Sequence, residues 1–170
     1  MILYHGSNIE IDIIKLDKCM PFKDFGKGFY TSPSLEQAQR MAKRTVKIRK
    51  EGNPCVTALK IDDAFLSNTE LKIKQFTNPD KEWAKFVINN RNRDFRDIKN
   101  NDCNSDAKFD IVFGPVANDD IAALMDIFLL GLISDEVLAN ELTFRELSNQ
   151  FSFHTEKAVS LLKKTEVFHG

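Results

Sequence analysis

An α+β fold is predicted for this chain. Short strand-like runs and amphipathic helical stretches are interleaved along its 170 residues, but irregularly, without the repeated strand–helix–strand spacing of a parallel sheet. The composition, 42% hydrophobic and 29% charged, is that of an ordinary globular core with a charged surface. No proline- or glycine-rich linker and no internal repeat divides the chain. One domain over residues 1–170 is therefore expected, with mixed or antiparallel sheets and helices packed against them.

The elements follow in order. Ile2-Leu3-Tyr4-His5 reads as a strand that Gly6-Ser7-Asn8 stops. Ile9 to Leu16 fits either a short strand or a helical turn. Phe29-Tyr30-Thr31 reads as a strand, and Ser34 caps a helix from Leu35 to Lys50. In that helix Leu35, Ala38, Met41, Ala42, Thr45 and Ile48 recur at helical spacing and are expected to face the core. Arg40, Lys43, Arg44, Lys47, Arg49 and Lys50 load the remainder with positive charge. Such cations suit a solvated face near a helix C-terminus, or a docking patch for an acidic partner or nucleic acid. Gly52 with Asn53 ends the helix.

Cys55 to Ile61 and Leu71 to Phe76 read as strands. Pro79 to Asn90 reads as a helix with Trp83, Phe86, Val87 and Asn90 on one face. Asn89 to Ser105 is a polar loop. Phe109 to Phe113 is a strand ended by Gly114-Pro115. Asn118-Asp119-Asp120 caps a helix to about Leu130, and Ser134 caps another, Asp135 to Leu142. Gln150 to Phe153 is a strand, Thr155 starts a helix to about Lys164, and Glu166 to Phe168 adds a last strand.

Charge and cysteines narrow the function. The net charge of −1 gives no global basic footprint for nucleic acid. Cys19, Cys55 and Cys103 are odd in number and form no C-x-x-C pair, so no metal site and no disulfide framework is expected. Met-Ile-Leu-Tyr-His lacks a basic, apolar leader, and the run from Ile121 to Ile133, broken by Asp126 and Gly131, is too short to span a bilayer. A cytoplasmic setting without a membrane partner is expected.

The chain is organised around Asp24 to Ser32, Asp-Phe-Gly-Lys-Gly-Phe-Tyr-Thr-Ser. Gly26 and Gly28 allow a tight turn and close approach of a ligand or another backbone. The pattern is neither a Rossmann fingerprint, since Thr31 stands where a third glycine belongs, nor a P-loop. Two further motifs join it: Tyr4-His5-Gly6-Ser7 and Asn149-Gln150-Phe151-Ser152-Phe153. In this order and spacing the three resemble the ADP-ribosyltransferase superfamily, in the His-Tyr-Glu branch of diphtheria toxin and the poly(ADP-ribose) polymerases. Phe25-Gly26-Lys27-Gly28-Phe29-Tyr30 is especially similar to the polymerases' F-G-K-G-I-Y-F. More narrowly, the chain resembles small bacterial ADP-ribosyltransferase-like proteins of toxin–antitoxin type. That likeness includes Trp83 to Arg91, Asp110 to Asp119 and Gln150 to Thr155.

The resemblance implies an ADP-ribosyltransferase-like fold and an NAD-dependent mono-ADP-ribosyltransferase, the toxin of such a pair. NAD is then a co-substrate, a small antitoxin is a partner, and a protein or nucleic acid is the acceptor. His5, Tyr30 and Gln150 take the catalytic positions. His5 would hydrogen-bond the adenosine ribose, donating from one ring nitrogen while the other is fixed by a second contact. The Gly6 backbone, helped by Ser7, would hold the nicotinamide carboxamide. Tyr30 would stack on the nicotinamide ring. Gly26, Gly28 and Phe29 complete the implied NAD site, with Met41, eleven residues after Tyr30, where the superfamily often has a second aromatic.

Gln150 departs from the pattern, standing where the superfamily has glutamate. Losing a charge-assisted hydrogen bond of ~1.5–3 kcal/mol would slow the step about ten- to a hundred-and-fiftyfold. Transfer of single ADP-ribose units or NAD hydrolysis is then expected, not chain elongation. Glu146 and Glu156 are nearby carboxylates off the motif position, and Asn90 and Arg91 are candidates to reach a phosphate or acceptor. Two alternatives stand beside the enzyme: an NAD- or ADP-ribose-binding module without turnover, and a nucleic-acid-associated protein. Gln150→Glu separates the first, because a gain in NAD cleavage supports a weakened enzyme.

Overall fold

The computed structural model describes residues 1–95, 97, 102–143 and 147–170. In order, the elements are β1 (Ile2–Ser7), β2 (Phe29–Thr31), α1 (Leu35–Arg49), β3 (Cys55–Lys60), β4 (Ile73–Gln75), α2 (Lys81–Arg91), β5 (Ile111–Pro115), α3 (Asp119–Leu129), α4 (Asp135–Thr143), β6 (Asn149–Phe153), α5 (Glu156–Val159) and β7 (Lys163–His169). Short 3-10 turns cover Leu16–Lys18 and Asp63–Ser67.

The architecture is α+β, built on two sheets. One has the strand order β1-β3-β7 and the other β2-β6-β5-β4. β4 and β5 run parallel, and the other named pairs are antiparallel. Strand alternation gives each sheet two faces. Leu3 and Leu59 of the first sheet join Phe29, Ile111, Phe151 and Phe153 of the second in a core between the sheets. The opposite face of the first sheet, with Tyr4, Val56 and Phe168, packs on Ala38 and Ala42 of α1. The opposite face of the second packs Val112 and Tyr30 against Phe25 and side chains of α2, α3 and α4, among them Trp83, Phe86, Ile121 and Leu138. Each fully buried side chain of this size contributes about 1.5–3 kcal/mol.

Local chemistry sets the helix starts. Ser34, Asn118, Ser134 and Thr155 accept from the backbone N–H three residues on, as the sequence predicts, and Asp80 does the same for α2.

Several expectations are corrected. β1 runs on through Gly6 and Ser7, because both pair with β3. Ile9 to Leu16 forms neither a strand nor a helical turn until Leu16 itself. α1 ends at Arg49, and Lys50, with a left-handed backbone (φ 56°), caps it before Gly52. Met41 and Ile48 are exposed, since α1 meets the sheet through small alanines. The helix expected from Thr155 to Lys164 is the single turn α5, and Lys163 already pairs with Lys60 of β3. Of the polar stretch Asn89 to Ser105, residues 96 and 98–101 lie outside the described residues.

Candidate functional site

The two sheets meet where β1 approaches β2. Tyr4 and Ser32 form a two-way backbone bridge, Tyr4 N–H to Ser32 carbonyl at 2.7 Å and Ser32 N–H to Tyr4 carbonyl at 2.8 Å. Antiparallel alternation then turns the N–H and C=O of Gly6 to the same edge as those of Tyr4, and those of Tyr30 to the same edge as Ser32. A continued ladder would pair Gly6 with Tyr30. Instead the Tyr30 carbonyl accepts from His5 Nδ1 at 2.7 Å. The strands part there, and the Gly6 peptide edge faces the opening.

That bond fixes the His5 tautomer. A carbonyl only accepts, so Nδ1 carries the proton and Nε2 of the neutral ring is an acceptor. Burial, which favours the neutral ring, pushes the His5 pKa down against the opposing pull of the Tyr30 carbonyl. The ring stacks on Phe29, centroids 4.3 Å apart. Nε2 has no partner, and no buried side-chain polar atom among the described residues lacks one, so Nε2 opens to solvent. The free nitrogen of this neutral ring can therefore only accept, where the sequence reading expects a donor.

The glycine turn is explained by the fold's own packing. Gly26 has φ 90°, and a Cβ there would stand 2.8 Å from the Asn104 carbonyl. A Cβ at Gly28 would stand 2.6 Å from His154 Nδ1. Tyr30 is built into this turn: its hydroxyl donates to the Gly26 carbonyl at 2.7 Å and accepts from the Phe25 N–H at 2.9 Å. Its ring lies parallel to Phe25 and edge-on to His154. Burial, then the Asp24 charge, raises the Tyr30 pKa well above the ordinary phenol value.

Gln150 lies on β6 two residues before Ser152, the partner of Tyr30, and so shares the Tyr30 face. Its Nε2 donates to Asp24 Oδ2 at 2.7 Å. Arg91 donates to Asp24 Oδ1 from Nε at 2.9 Å and from Nη2 at 2.6 Å. Asp24 is the first residue of the glycine motif. Nothing local marks it, because Gln150 is 126 positions away. His154 is likewise a new member. Its Nδ1 donates to the Lys27 carbonyl at 2.9 Å and its Nε2 lies 2.8 Å from Ser152 Oγ. Burial lowers its pKa to about 4.

The other candidates are placed plainly. His5, Tyr30 and Gln150 stand on β1, β2 and β6, with β2 adjoining both others, and the His5 ring lies over Phe29, whose side chain points to the face opposite Tyr30. Phe29 is buried between the sheets, under the His5 ring. A Cβ at Gly6 would stand 2.0 Å from the Ala38 carbonyl, so glycine here serves the packing of α1. Ser7 Oγ makes one long contact, 3.5 Å to Asn8 Oδ1. Met41 is 49% exposed on α1. Asn90 is buried, donating to the Phe86 carbonyl and accepting from the Asn104 N–H, so it is not free to reach a phosphate. Glu156 borders a groove with Asp12 and Leu162, on the far side of β6 from Gln150's partners, and Glu146 lies outside the described residues. That groove, about 310 Å³, and a cavity of about 100 Å³ between α1 and the C-terminal end of β7 both lie away from His5, Tyr30 and Gln150.

A mixed α+β domain with two stacked sheets and a polar opening between β1 and β2 is the class these features define. Residues 1–164 match DUF3990, a family of proteins of unknown function, and the chain belongs to that family. No curated protein and no solved structure matches it. Among the described residues, no helix is long and apolar enough to cross a membrane.

Proposed function

We propose that this protein is an NAD-dependent mono-ADP-ribosyltransferase of ADP-ribosyltransferase-like fold. The observation that carries the proposal is the parting of β1 and β2, where the motif residues Gly6 and His5 meet the backbone of the motif residue Tyr30. An open peptide edge at Gly6 offers one donor and one acceptor, the complement of a carboxamide. The neutral His5 Nε2 offers an acceptor suited to a ribose hydroxyl. Met41, exposed on α1, is free to pack on a ring. The residues present therefore fit the two halves of a dinucleotide, with His5, Gly6 and Tyr30 as the holding groups.

The reaction breaks the glycosidic bond between ribose and nicotinamide. Nicotinamide leaves with the bonding pair, and an acceptor nucleophile bonds the ribose carbon and gives up its proton. The protein's part is to orient the bond and to set an acceptor oxygen, on Gln150, beside the charge that develops. The small antitoxin and the macromolecular acceptor enter the proposal through the sequence resemblance alone.

Two labelled forms of NAD test it. With the adenine labelled, label should pass to a macromolecule in a cell extract. With the nicotinamide labelled, it should appear as free nicotinamide in equal amount. Free nicotinamide without macromolecular label would make the protein a hydrolase, and neither signal would contradict the proposal. His5→Ala should reduce both signals at least tenfold, as expected for a lost positioning contact of about 1.4 kcal/mol.

A further inference from the structure

Asp24 lies in the loop before β2, 7% exposed, and both of its carboxylate oxygens are engaged. Oδ1 takes the two Arg91 contacts, and Oδ2 accepts from the Ala117 N–H at 3.0 Å and from Gln150 Nε2 at 2.7 Å. Arg91 Nη2 also donates to the Ala117 carbonyl at 2.9 Å. An ionised carboxylate accepts and cannot donate, so it decides which end of the Gln150 amide turns inward. The nitrogen faces Asp24, and Oε1 faces away. Oε1 has no partner, and no unpartnered polar side-chain atom is buried among the described residues, so Oε1 is open to solvent.

The geometry points to Asp24 as a positioning residue for the proposed reaction, and to Asp24 with Gln150 as a pair that replaces a single catalytic carboxylate. This deepens the NAD proposal and rests on it. Asp24 holds the negative charge. Gln150 presents an oriented acceptor oxygen, which takes a hydrogen bond from a ribose hydroxyl with no proton transfer. The hydrogen bond from amide to carboxylate is charge-assisted and draws electron density toward Oε1. The same geometry explains why residue 150 is not glutamate. Two carboxylates 2.7 Å apart cannot both ionise without strong repulsion. Gln150→Glu, expected from the sequence to raise NAD cleavage if the site is a weakened enzyme, should lower it.

The test is a double-mutant cycle of Asp24→Asn and Gln150→Glu, read in melting temperature and in nicotinamide release from NAD. Gln150→Glu alone should lower the melting temperature and reduce kcat about tenfold or more, with KM for NAD less affected. The double variant, which moves the carboxylate from residue 24 to residue 150, should recover both. Nuclear magnetic resonance of the wild type provides a second readout, independent of variants. One Gln150 side-chain N–H proton should be shifted and protected, unlike its geminal partner. Unchanged or raised turnover in Gln150→Glu, a double variant no better than that single one, or two Gln150 protons like those of free glutamine would overturn the pair. Coupling in melting temperature without nicotinamide release by the wild type would instead overturn the NAD proposal and, with it, the catalytic part of the pair.

Discussion

His154 is held neutral in the wall behind Tyr30. The unfolded imidazole binds its proton near pH 6.5, and the buried one only at about 4. Between those values the unfolded state carries more protons, so stability falls as pH drops through this window, by on the order of 3 kcal/mol. His5, also lowered by burial, acts in the same direction. Asp110, held below its usual value by Thr155, the Lys72 N–H and Lys157 against the opposing effect of burial, acts only at lower pH, where its carboxylate protonates. Denaturation midpoints measured from pH 7 to 4 should therefore decline, and in a His154→Gln variant the slope should flatten. Equal slopes would contradict the buried neutral ring. Tyr30 makes a second prediction. Tyr30→Phe keeps the ring but removes the hydroxyl that donates to the Gly26 carbonyl and accepts from the Phe25 N–H, and should cost about 1–3 kcal/mol in denaturant titrations. A change under half a kcal/mol would mean that the hydroxyl does not hold the turn. Tyr30→Ala is a poor probe of the site for the same reason, since it removes part of the fold.

At the scale of elements, α1 is seated on β1 through a missing side chain. Gly6→Ala would force a Cβ into backbone atoms of α1, which cannot swing aside as a flexible side chain would. The cost should exceed about 3 kcal/mol, at or above the usual range for overpacking. A near-neutral Gly6→Ala would show that α1 is not packed this closely. The helix itself is legible in the sequence from the Ser34 cap and the spacing of Ala38 and Ala42. Its contact with Gly6 is not, because periodicity tells which face turns inward and not how closely the backbones approach. Met41 and Ile48 show the same limit: both fit the apolar period, but the contact is narrow and leaves them outside. The sequence marks the later part of β7, Glu166 to Phe168, but not its start, because Lys163 to Thr165 is as compatible with a helix as with a strand, and pairing with β3 decides the matter.

Across the whole molecule, Asp24 ties four segments together: the loop before β2, α2 through Arg91, the turn after β5 through Ala117, and β6 through Gln150. Arg91→Met should leave a buried carboxylate short of its cation and cost about 3 kcal/mol, read as a lower melting temperature. An unchanged melting temperature would mean that the remaining contacts suffice. The three motifs were legible as sequence patterns, and the α+β architecture as irregular alternation. The Asp24 network was not, because its members are far apart in the chain and their types are common on any surface.

The central claim is that the opening between β1 and β2 takes NAD. The most direct test is thermal denaturation of the purified protein with and without NAD, with nicotinamide measured in the same samples. A ligand of the folded state raises the melting temperature by mass action. A higher melting temperature together with nicotinamide release is expected. No stabilisation even at high NAD concentration, with no nicotinamide released, would contradict it.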